Sequence, residues 1–553
     1  MRRLLPSALG LALAGCGSSA PAPSTDPAAD QRRDTLVIAW ASDIDSLNPL
    51  TQTSASDSAI TDNVFTSLAG STFDCSIKKE PKLATSWAWS ADGKVLSMTL
   101  RDDAHWSDGK PVTADDLAFA YELASDPIAA SPRSNYVERM EKDGRPKVVD
   151  ATHIEWHFTE AYDRDTQFSH ATALPPLPRH VLGALDRATL AGQPFSKQPI
   201  ASGPWQVATY APGERLVLEP NAPEALYGDT SPHLKRVIFQ FTPEYSTRLL
   251  NLQNGTVDMM DGLNVEDADM LRTTNPNLRF ERRGWRFLEF IVWNLQDPLF
   301  QDVRVRKALA MAVDSDALIQ KLLTSASGDV YGKRAIGTIT PALCGVHNDA
   351  VQPLPYDLAA AKALMAEAGW TDSNHDGVLD KDGVDFSFEL KTNSGNSRRA
   401  KTSVLVQSNL KDLGVKVELS QSEPAAFFHD LPEKKFQAAL AGWSAALFVD
   451  PSSVWHSPSA DQPRPLNYPG YANPEVDALI EKGLATPIAS DAAAYWKALQ
   501  ATVYADQPYM FLFWRDEIVA IDNRFQNTKV DVESPVHDLS QWSVPADKVK
   551  YQR

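Results

Sequence analysis

Residues 105–116 read HWSDGKPVTADD, and this stretch has the pattern of an entrance to a helix. Thr113 offers a side-chain oxygen suited to an N-cap, so we predict that the helix begins there. Asp115 and Asp116 then fall in the first turn, where the helix dipole favours negative charge. The apolar positions that follow share one stripe at helical spacing, namely Leu117, Tyr121 and Ala124. The stretch therefore predicts the start of an amphipathic helix.

Strand patterns lie on both sides of this helix. Residues 94–101 and 154–158 alternate between apolar and polar side chains, which predicts strands with one buried face. Residues 36–40 and 237–241 are short apolar runs of the kind found in fully buried strands. The first half of the chain therefore mixes strands with helices.

The second half of the chain is richer in helix signals. Residues 397–413 are predicted as a helix that ends at Gly414. Asn473 followed by Pro474 has the form of an N-cap with proline at the first helical position. Because no clear linker interrupts residues 35–553, these signals predict an α/β fold whose lobes are joined by crossing segments, not a row of separate domains.

The composition is that of an acidic globular protein. Of 553 residues, 43% are apolar and 22% charged, and 53 Lys and Arg stand against 71 Asp and Glu for a formal charge of −18. A surface this acidic repels phosphate backbones, so nucleic acid is excluded as a main partner. The chain is long enough to bury large cores.

The amino terminus has the pattern of an export signal. Two arginines precede an apolar run over residues 4–14 that is too short to span a bilayer. Residues 13–16, Leu-Ala-Gly-Cys, resemble the lipobox of bacterial lipoproteins, in which the cysteine is acylated and becomes the new amino terminus. We therefore expect a lipoprotein signal peptide at residues 1–15, lipidation of Cys16 and a flexible lipidated tether at residues 16–34.

This interpretation places the protein in the periplasm or cell envelope, anchored to a membrane by lipid. An ordinary signal peptide with an incidental cysteine is the alternative, and the choice between inner and outer membrane stays open. The two other cysteines, Cys75 and Cys344, are too few for a disulfide scaffold. An exported protein folds where disulfides are allowed. The sequence nevertheless leaves open whether these two pair, because it does not fix their Cα separation.

Common catalytic motifs are missing from the sequence. It contains no Gly-x-Ser-x-Gly, His-Glu-x-x-His, Walker A or Gly-x-Gly-x-x-Gly pattern. His153 and His157 form the closest histidine pair, but their spacing puts both on the polar face of a strand. The sequence therefore predicts no enzyme activity, no catalytic residues and no cofactor, with a periplasmic hydrolase kept as the alternative.

One polar loop has part of a calcium-binding pattern. Residues 372–380 place oxygen ligands and a glycine as an EF-hand loop does, through Asp372, Asn374, Asp376 and Asp380. Position 12 of that pattern is Gly383, so the bidentate glutamate is missing. Such Asp/Asn/Gly turns also occur for purely conformational reasons. We expect no bound metal and keep this loop as a minor calcium candidate.

Large aromatic residues are abundant, with 14 Trp, 14 Tyr and 21 Phe. Most are expected in cores, but some stand beside Gly, Ser or Pro in loop-like contexts that suit an apolar or stacking pocket. The residues predicted on this ground to contact a ligand are Trp40, Ser42, Trp205, Gly442, Trp443, Ser444, Phe511 and Phe513.

At the level of motifs, residues 105–116 resemble the WSDGxPVTAxD signature of extracytoplasmic solute-binding proteins of the oligopeptide/dipeptide ABC-importer class. The resemblance continues in order along the chain, through residues 202–205, 293–294, 300–309, 363–370, 442–443 and 471–477. Any one of these matches could arise by chance, whereas the ordered set over roughly residues 35–520 is specific.

The resemblance implies an α/β fold of two lobes that closes like a clam shell on its ligand. Two crossing segments would join the lobes, near residues 279–289 and 509–519. The implied arrangement is a first lobe at residues 35–283 with a smaller subdomain at about 75–190, a second lobe at 284–510, and a return to the first lobe at 511–553. The resemblance also implies a monomer that delivers its ligand to an ABC permease, and a lipid tether would raise its effective concentration there.

Peptide-binding relatives hold the ammonium group of a peptide with an aspartate in the segment after the Gly-Trp pair. The matching position here lies close to Ala446, which is not acidic. Leu431 and Leu440 stand near positions where relatives carry basic residues for the peptide carboxylate, and Arg398 and Arg399 are candidate substitutes. A buried ammonium without a carboxylate is costly. We therefore add Ala446 and Arg398 to the predicted ligand contacts and expect a blocked or long peptide, or another moderately apolar solute.

The leading hypothesis is thus a membrane-anchored, substrate-binding component of an ABC importer that captures peptides or a related solute. Besides the hydrolase, the alternatives are a binder of another solute, such as an oligosaccharide or opine, and an adhesin or chaperone-like binder.

Overall fold

The computed structural model describes residues 35–545 and residue 548, except for residues 53, 75, 142–143, 223–230 and 460–462. The predicted signal peptide, the lipidation site Cys16 and the tether lie outside the described residues, so they stay predictions. Within the described part of the chain, none of the helices combines the length and apolar character needed to cross a bilayer.

Strands and helices alternate through the first half of the described chain. The strands are β1 (Thr35–Trp40), β2 (Ala69–Asp74), β3 (Ser76–Pro81), β4 (Ala84–Trp89), β5 (Val95–Leu100), β6 (Lys147–Val148), β7 (His153–His157), β8 (Trp205–Ala211), β9 (Arg215–Pro220), β10 (Arg236–Phe241) and β11 (Met259–Leu263). The helices are α1 (Ala55–Val64), α2 (Ala114–Ser125), α3 (Arg164–Thr172), α4 (Arg179–Leu182), α5 (Tyr245–Gln253) and α6 (Val265–Thr274).

The second half contains the longer elements. Its strands are β12 (Leu278–Trp293), β13 (Gly332–Arg334), β14 (Asp380–Lys381), β15 (Val384–Asp385), β16 (Ser387–Asn393), β17 (Lys416–Ser422), β18 (Ala438–Ser444) and β19 (Tyr509–Asp522). Its helices are α7 (Val303–Met311), α8 (Ser315–Leu322), α9 (Leu358–Glu367), α10 (Ser397–Leu413), α11 (Pro424–Asp430), α12 (Ser452–Trp455), α13 (Pro474–Leu484) and α14 (Ala489–Asp506).

One large mixed sheet runs through both lobes. Its strand order is β17-β16-β18-β12-β19-β11-β1-β10-β9-β8, and β13 also pairs with β19. Strand β1 lies parallel to β10 and β11, whereas β12 lies antiparallel to both β18 and β19. A separate antiparallel sheet, β4-β5-β7-β6, lies within the predicted smaller subdomain of the first lobe.

Strands β12 and β19 belong to both lobes. Residues 278–283 of β12 pair with residues 517–522 of β19 next to β11, and residues 287–292 pair with residues 509–515 next to β18. The register is interrupted between these two runs. Trp285 lies in the interruption with a φ of 52°, a left-handed conformation that a bulky side chain rarely adopts.

These two strands coincide with the crossing segments predicted from the sequence, and the two-lobed α/β fold is confirmed. We call their interruption the hinge, because both strands pass there from one lobe to the other; within it Trp285 N donates to Asp516 Oδ1 at 3.0 Å instead of pairing with β19. The lobe boundaries predicted at residues 283/284 and 510/511 lie within these strands and stay a prediction.

The stretch 105–116 is held together by the carboxylate of Asp116. Its Oδ2 accepts hydrogen bonds from Thr113 N at 3.0 Å and from Trp106 Nε1 at 3.4 Å. Its Oδ1 accepts from Arg179 N at 3.0 Å, which fixes the start of α4 beside α2. Helix α2 begins directly after Thr113, as predicted. The stretch thus joins a turn and two helices around one buried carboxylate. Burial of this charge is tolerated because these hydrogen bonds satisfy it.

Two helix ends in the second half also follow their predictions. Helix α10 covers residues 397–413, and Gly414 terminates it with a φ of 93° that suits glycine. Helix α13 begins at Pro474, and the side chain of Asn473 accepts a hydrogen bond from Glu475 N at 2.9 Å. These ends are set by residues next to each other in the chain, which is why a local pattern predicts them.

Apolar residues form separate cores on the faces of the large sheet. The first lobe has a core that contains Trp106 and Trp205. In the second lobe β12 alternates, since Ile291 and Trp293 enter one core while Phe290 enters the core on the opposite face. The sheet is therefore covered on both sides in the second lobe.

One of the three cysteines has a defined oxidation state in the structure. Cys344 is disulfide-bonded. The other two cysteines of the chain, Cys16 and Cys75, lie outside the described residues. Pairing of Cys344 with Cys75 in particular stays open.

Candidate functional site

A cavity of about 500 Å³ lies between the two lobes. This volume falls within the range of small-molecule sites, roughly 300–1,000 Å³. Its lining comes from both lobes and includes Lys79, Asp163 and Asp165 on one side and Leu343, Leu447, Phe448 and Trp496 on the other. The second lobe thus supplies the apolar wall and the first lobe supplies the charges, a combination that suits a ligand with both characters.

Lys79 is the cation in the wall of this cavity. Its Nζ lies 5.2 Å from the centroid of the Phe168 ring, and the side chain is half-buried. Burial lowers the pKa of Lys79, and the charges of Asp165 and Glu533 offset that effect only in part. Within the described residues, no carboxylate lies within 4.0 Å of its Nζ. The ammonium group is therefore available to a ligand.

Asp163 joins the lobes at the rim of the cavity. Its Oδ1 accepts from Thr166 N at 2.8 Å and so caps α3. Its own N–H donates to Leu484 O at 3.0 Å, and Arg164 N donates to Pro487 O at 3.0 Å. These main-chain bonds connect the first-lobe subdomain to the end of α13, so the lobes touch away from the hinge as well as at it.

The hinge carries a network of buried ion pairs. Arg283 Nη1 lies 2.9 Å from Asp261 Oδ2 and 2.8 Å from Glu517 Oε2. Arg515 Nη2 lies 3.2 Å from Glu517 Oε1. Burial raises the pKa of Asp261, and the nearby carboxylate of Glu517 raises it further. The network links β11, β12 and β19 at the point where the strands cross between the lobes.

Glu289 is the anion at the second-lobe end of this network. Arg398 Nη2 donates to its Oε1 at 2.7 Å and Arg399 Nε donates to its Oε2 at 3.0 Å. Burial alone would raise the pKa of Glu289, but the charges of Arg399, Arg398 and Arg515 outweigh it and lower the pKa to about 2. Arg398, a predicted ligand contact, is thus engaged by a protein carboxylate.

Arg286 connects the two lobes beside the hinge. Its Nε donates to Ala445 O at 3.2 Å, and its Nη1 donates to Val532 O and Glu533 O, each at 2.7 Å. Ala445 N in turn donates to Arg286 O at 2.8 Å. One guanidinium therefore holds the segment after β18 against the carboxy-terminal segment that returns to the first lobe.

The Gly-Trp pair that the sequence singled out lies in β18, just before its last residue, Ser444. A Cβ on Gly442 would lie 2.5 Å from Leu288 O and 2.7 Å from Arg399 Nη2, so the close approach of the Leu288 main chain, together with Arg399, requires glycine there. The Trp443 ring stacks on Tyr468 at a centroid distance of 4.9 Å. Ser444 and Ala446 follow and are exposed.

The remaining predicted contacts are mostly core residues. Trp205 and Phe513 are 0% exposed, Phe511 is 4% exposed and Trp40 is 6% exposed. Ser42 is exposed after β1. The structure therefore gives the four aromatics a packing role, while Ser42, Ser444 and Ala446 have accessible surface. A ligand contact by any of these residues stays a prediction.

The loop at residues 372–380 uses its carboxylates to shape a turn. Asp372 accepts from the N–H groups of Asp376 and Gly377, each at 3.1 Å. Asp380 accepts from Ser373 N at 2.8 Å and Ser373 Oγ at 2.7 Å. Asn374 accepts from Asp376 N at 3.0 Å. These bonds explain the sequence pattern by local geometry, and calcium binding stays a prediction.

One group of potential metal ligands occurs among the described residues. Asp531, Glu533 and His537 offer atoms that all lie within 4.8 Å of one another. His537 Nδ1 lies 2.7 Å from Asp531 Oδ2. Burial would lower the pKa of His537, but the hydrogen bond and charge of Asp531 raise it. The raised pKa widens the pH range over which His537 carries the positive charge that pairs with Asp531.

Sequence reasoning missed Lys79 in the cavity wall and two charged residues outside it. Lys79, Arg286 and Asp62 belong to no motif and have no distinctive neighbours in the chain. Asp62 is exposed, yet burial raises its pKa to about 6. The groups that act on it, including Lys82 and His537, are distant in sequence. Only the tertiary fold reveals these residues.

Comparison with known proteins places this geometry in a family. A family model described as bacterial extracellular solute-binding proteins, family 5 (middle) matches residues 78–463. The oligopeptide-binding protein AppA of Bacillus subtilis is 29% identical over 461 residues, 81% of each chain. The solved structure of AppA from Bacillus subtilis in complex with a nonapeptide has a TM-score of 0.80 at 26% identity and covers 92% of this chain and 99% of that chain.

A second solved structure shows the breadth of this fold. NikZ from Campylobacter jejuni, in complex with Ni(L-His), has a TM-score of 0.80 at 24% identity, over 92% of this chain and 99% of that one. At this level of identity the likeness concerns the fold alone.

Because the family match covers more than half of the chain, the protein belongs to family 5 of the bacterial extracellular solute-binding proteins. It is a solute-binding protein of the class that serves peptide ABC importers, and as such it is a binding protein and not an enzyme. The resemblance drawn from residues 105–116 and the later motifs is confirmed.

Proposed function

We propose that this protein captures a peptide or a related solute between its lobes and delivers it to an ABC permease, while a lipid on Cys16 holds it at the membrane. The cavity of about 500 Å³ lined by both lobes carries the proposal. A ligand that contacts both walls binds the closed arrangement better than an open one, and this differential affinity drives closure.

The peptide assignment is supported by the family and by the relative AppA, whose solved complex contains a nonapeptide. The apolar wall at Leu447 and Phe448 suits side chains of such a ligand. Oligosaccharides and opines are the other solutes to test.

A cavity-filling substitution tests the site directly. Ala493 lines the cavity, whereas its neighbour Ala494 on α14 is exposed. We expect Ala493→Trp to weaken binding of a mixed peptide library at least tenfold, measured by dialysis and mass spectrometry, and Ala494→Trp to bind like the unmodified protein. Equal retention by both variants would place the ligand elsewhere. Failure of the unmodified protein to retain any peptide, while retaining an oligosaccharide or opine, would change the ligand class.

The anchor has its own test. We expect the protein expressed in a bacterial host to fractionate with membranes and to carry acyl chains on Cys16 by mass spectrometry. The Cys16→Ser variant should appear in the soluble fraction. A soluble, unacylated parent protein would refute anchoring and leave the binding proposal intact.

A further inference from the structure

A β-hairpin of the first lobe reaches the cavity between the lobes. Strands β2 and β3 form this hairpin, and Lys79 of β3 lines the cavity. Leu68 and Leu83, which flank the hairpin in the chain, are buried in the core of the first lobe. The last pair of the hairpin, at its tip, is Asp74 opposite Ser76. The base of the hairpin therefore belongs to the first lobe.

The other end of the hairpin contacts the second lobe. Leu343 belongs to a core of the second lobe, and Phe73, one residue before the last pair of the hairpin, packs against that core. Leu343 and Val346 also line the cavity together with Lys79. The hairpin and residues 343–346 thus come from different lobes and lie beside the same space.

Cys344 belongs to this second-lobe segment and is disulfide-bonded. The chain has two other cysteines, Cys16 and Cys75. In the proposed lipoprotein, the sulfur of Cys16 carries lipid and has no thiol to oxidise. Cys75 stands between Asp74 and Ser76, and the Cα atoms of neighbouring residues are about 3.8 Å apart. The described neighbours of Cys75 are thus the tip of the hairpin that contacts the lobe of Cys344.

We propose that Cys344 pairs with Cys75, and that this disulfide ties the tip of the hairpin to the second lobe and limits how far the lobes separate. Strands β12 and β19 already join the lobes at the hinge, and the disulfide adds a covalent connection beside the cavity. A disulfide keeps the two Cα atoms within about 4.4–6.8 Å of each other. Rotation about the hinge is then restricted to what the hairpin can follow. The inference rests on the proposed function only where it concerns the exchange of ligand.

The tie is released by thiol–disulfide exchange. One thiolate of an external dithiol attacks a sulfur of the bond, and the other cysteine leaves as a thiolate. The second thiol of the reductant then displaces the first cysteine, and the dithiol becomes a cyclic disulfide. Two electrons and two protons thus pass from the dithiol to the two cysteines. Cys344 is exposed, so a reductant has access to the bond.

Peptide mapping tests the pairing without any ligand. The full chain is exported by a bacterial host, purified without reductant and digested with trypsin under nonreducing conditions. Cleavage at Lys and Arg places Cys75 in a peptide of residues 34–78 and Cys344 in one of residues 335–362. We expect mass spectrometry to find these two peptides joined and dithiothreitol to separate them. A peptide 335–362 that is free, or joined to the peptide that carries Cys16, would overturn the inference.

Small-angle scattering and ligand release test the effect of the bond. We expect dithiothreitol to increase the radius of gyration of the ligand-free protein, and to speed the dissociation of a retained peptide at least tenfold. The double variant Cys75→Ser/Cys344→Ser is the control, since it should behave like the reduced protein with or without dithiothreitol.

The outcomes separate this inference from the proposed function. If the joined peptides are found but reduction leaves both the radius of gyration and the release rate unchanged, the disulfide does not limit opening and the inference fails. Expansion on reduction in a protein that retains no peptide or other solute would uphold the tie and contradict the proposed function. Reduction of the unmodified chain gives this result even where the double variant does not fold.

Discussion

The hinge network and the wall of the cleft are both rich in charge, but they differ in how that charge is paired. At the hinge, Glu289 has two guanidinium groups within 3.0 Å, and Arg283 has two carboxylates within 2.9 Å. In the wall, Lys79 has no ion pair among the described residues. Paired charges inside a protein hold its geometry, whereas an enclosed unpaired charge costs stability and is retained for another purpose. The difference separates residues that maintain the hinge from residues available to a ligand.

The largest effect is expected at the hinge. Glu289→Gln leaves Arg398 and Arg399 without their carboxylate in a buried position, and breaking such a pair costs about 3–5 kcal/mol. We expect that loss in the free energy of unfolding, measured by urea denaturation. The control is Glu418→Gln on β17, whose carboxylate is exposed and 3.3 Å from Lys416, and it should change the free energy by less than about 1 kcal/mol. Equal effects of the two substitutions would show that the buried ion pairs of the hinge stabilise the protein no more than an exposed pair does.

Glu289 at the hinge and Asp62 near the end of α1 should contribute to stability with opposite dependence on pH. The pKa of Glu289 is about 2 in the folded protein and 4.5 in its ordinary state, so its contribution is complete above pH 4.5 and is lost as the pH falls towards 2, by about 3 kcal/mol. The pKa of Asp62 is raised from 3.8 to about 6, so its contribution instead declines as the pH rises from 3.8 through 6. We expect urea denaturation from pH 2 to 8 to show two changes in the pH dependence of the free energy of unfolding. Glu289→Gln should lack the rise between pH 2 and 4.5, and Asp62→Asn should lack the decline between pH 3.8 and 6. Unchanged slopes would contradict the assignment.

A smaller loss of stability is expected at Gly442, where the main chain of β18 packs against Arg399 of the hinge network. Gly442→Ala places a methyl group 2.5 Å from Leu288 O and 2.7 Å from Arg399 Nη2, and overpacking of this kind costs about 1–3 kcal/mol. Thermal unfolding should show a lower melting temperature. Gly345→Ala is the matched control, because a Cβ there meets nothing within 4 Å. A stable Gly442→Ala variant would mean that the Leu288 main chain and Arg399 can both shift at little cost.

The smallest effect is expected in the wall. Lys79→Met removes a cation that burial disfavours and keeps an apolar contact with Phe168, so the free energy of unfolding should change by less than about 0.5 kcal/mol. Chemical denaturation checks this value. A loss above about 1.5 kcal/mol would show that Lys79 has a structural partner and belongs with the paired charges.

Local signals predicted much of the fold. The capped start of α2, the end of α10 at Gly414 and the start of α13 at Pro474 each depend on residues a few positions apart, and the structure has them where expected. The crossing strands were predicted because the chain resembles a family over most of its length. Both kinds of signal, local capping residues and ordered motifs, can be read without knowledge of the fold.

The site was harder to predict, because its contacts are long-range. Arg398 has the charge expected of a ligand contact, but it forms an ion pair with Glu289, which lies 109 positions away in the chain. Glycine at position 442 is explained by the close approach of the Leu288 main chain and of Arg399, which no local pattern could show. Lys79 is an ordinary charged residue until the fold places it in the cavity wall. A sequence shows which groups are charged and leaves open which of them find partners.

The pairing of β19 has a consequence for the order in which the chain folds. Met259 of β11 pairs with Ile521, so the sheet of the first lobe takes in a strand about 260 residues further along. During synthesis, the first lobe therefore lacks one of its strands until almost the whole chain has emerged. Contacts between such distant segments form slowly. A protein truncated before residue 509 should lose the order of both lobes together, because the missing strand belongs to each of them.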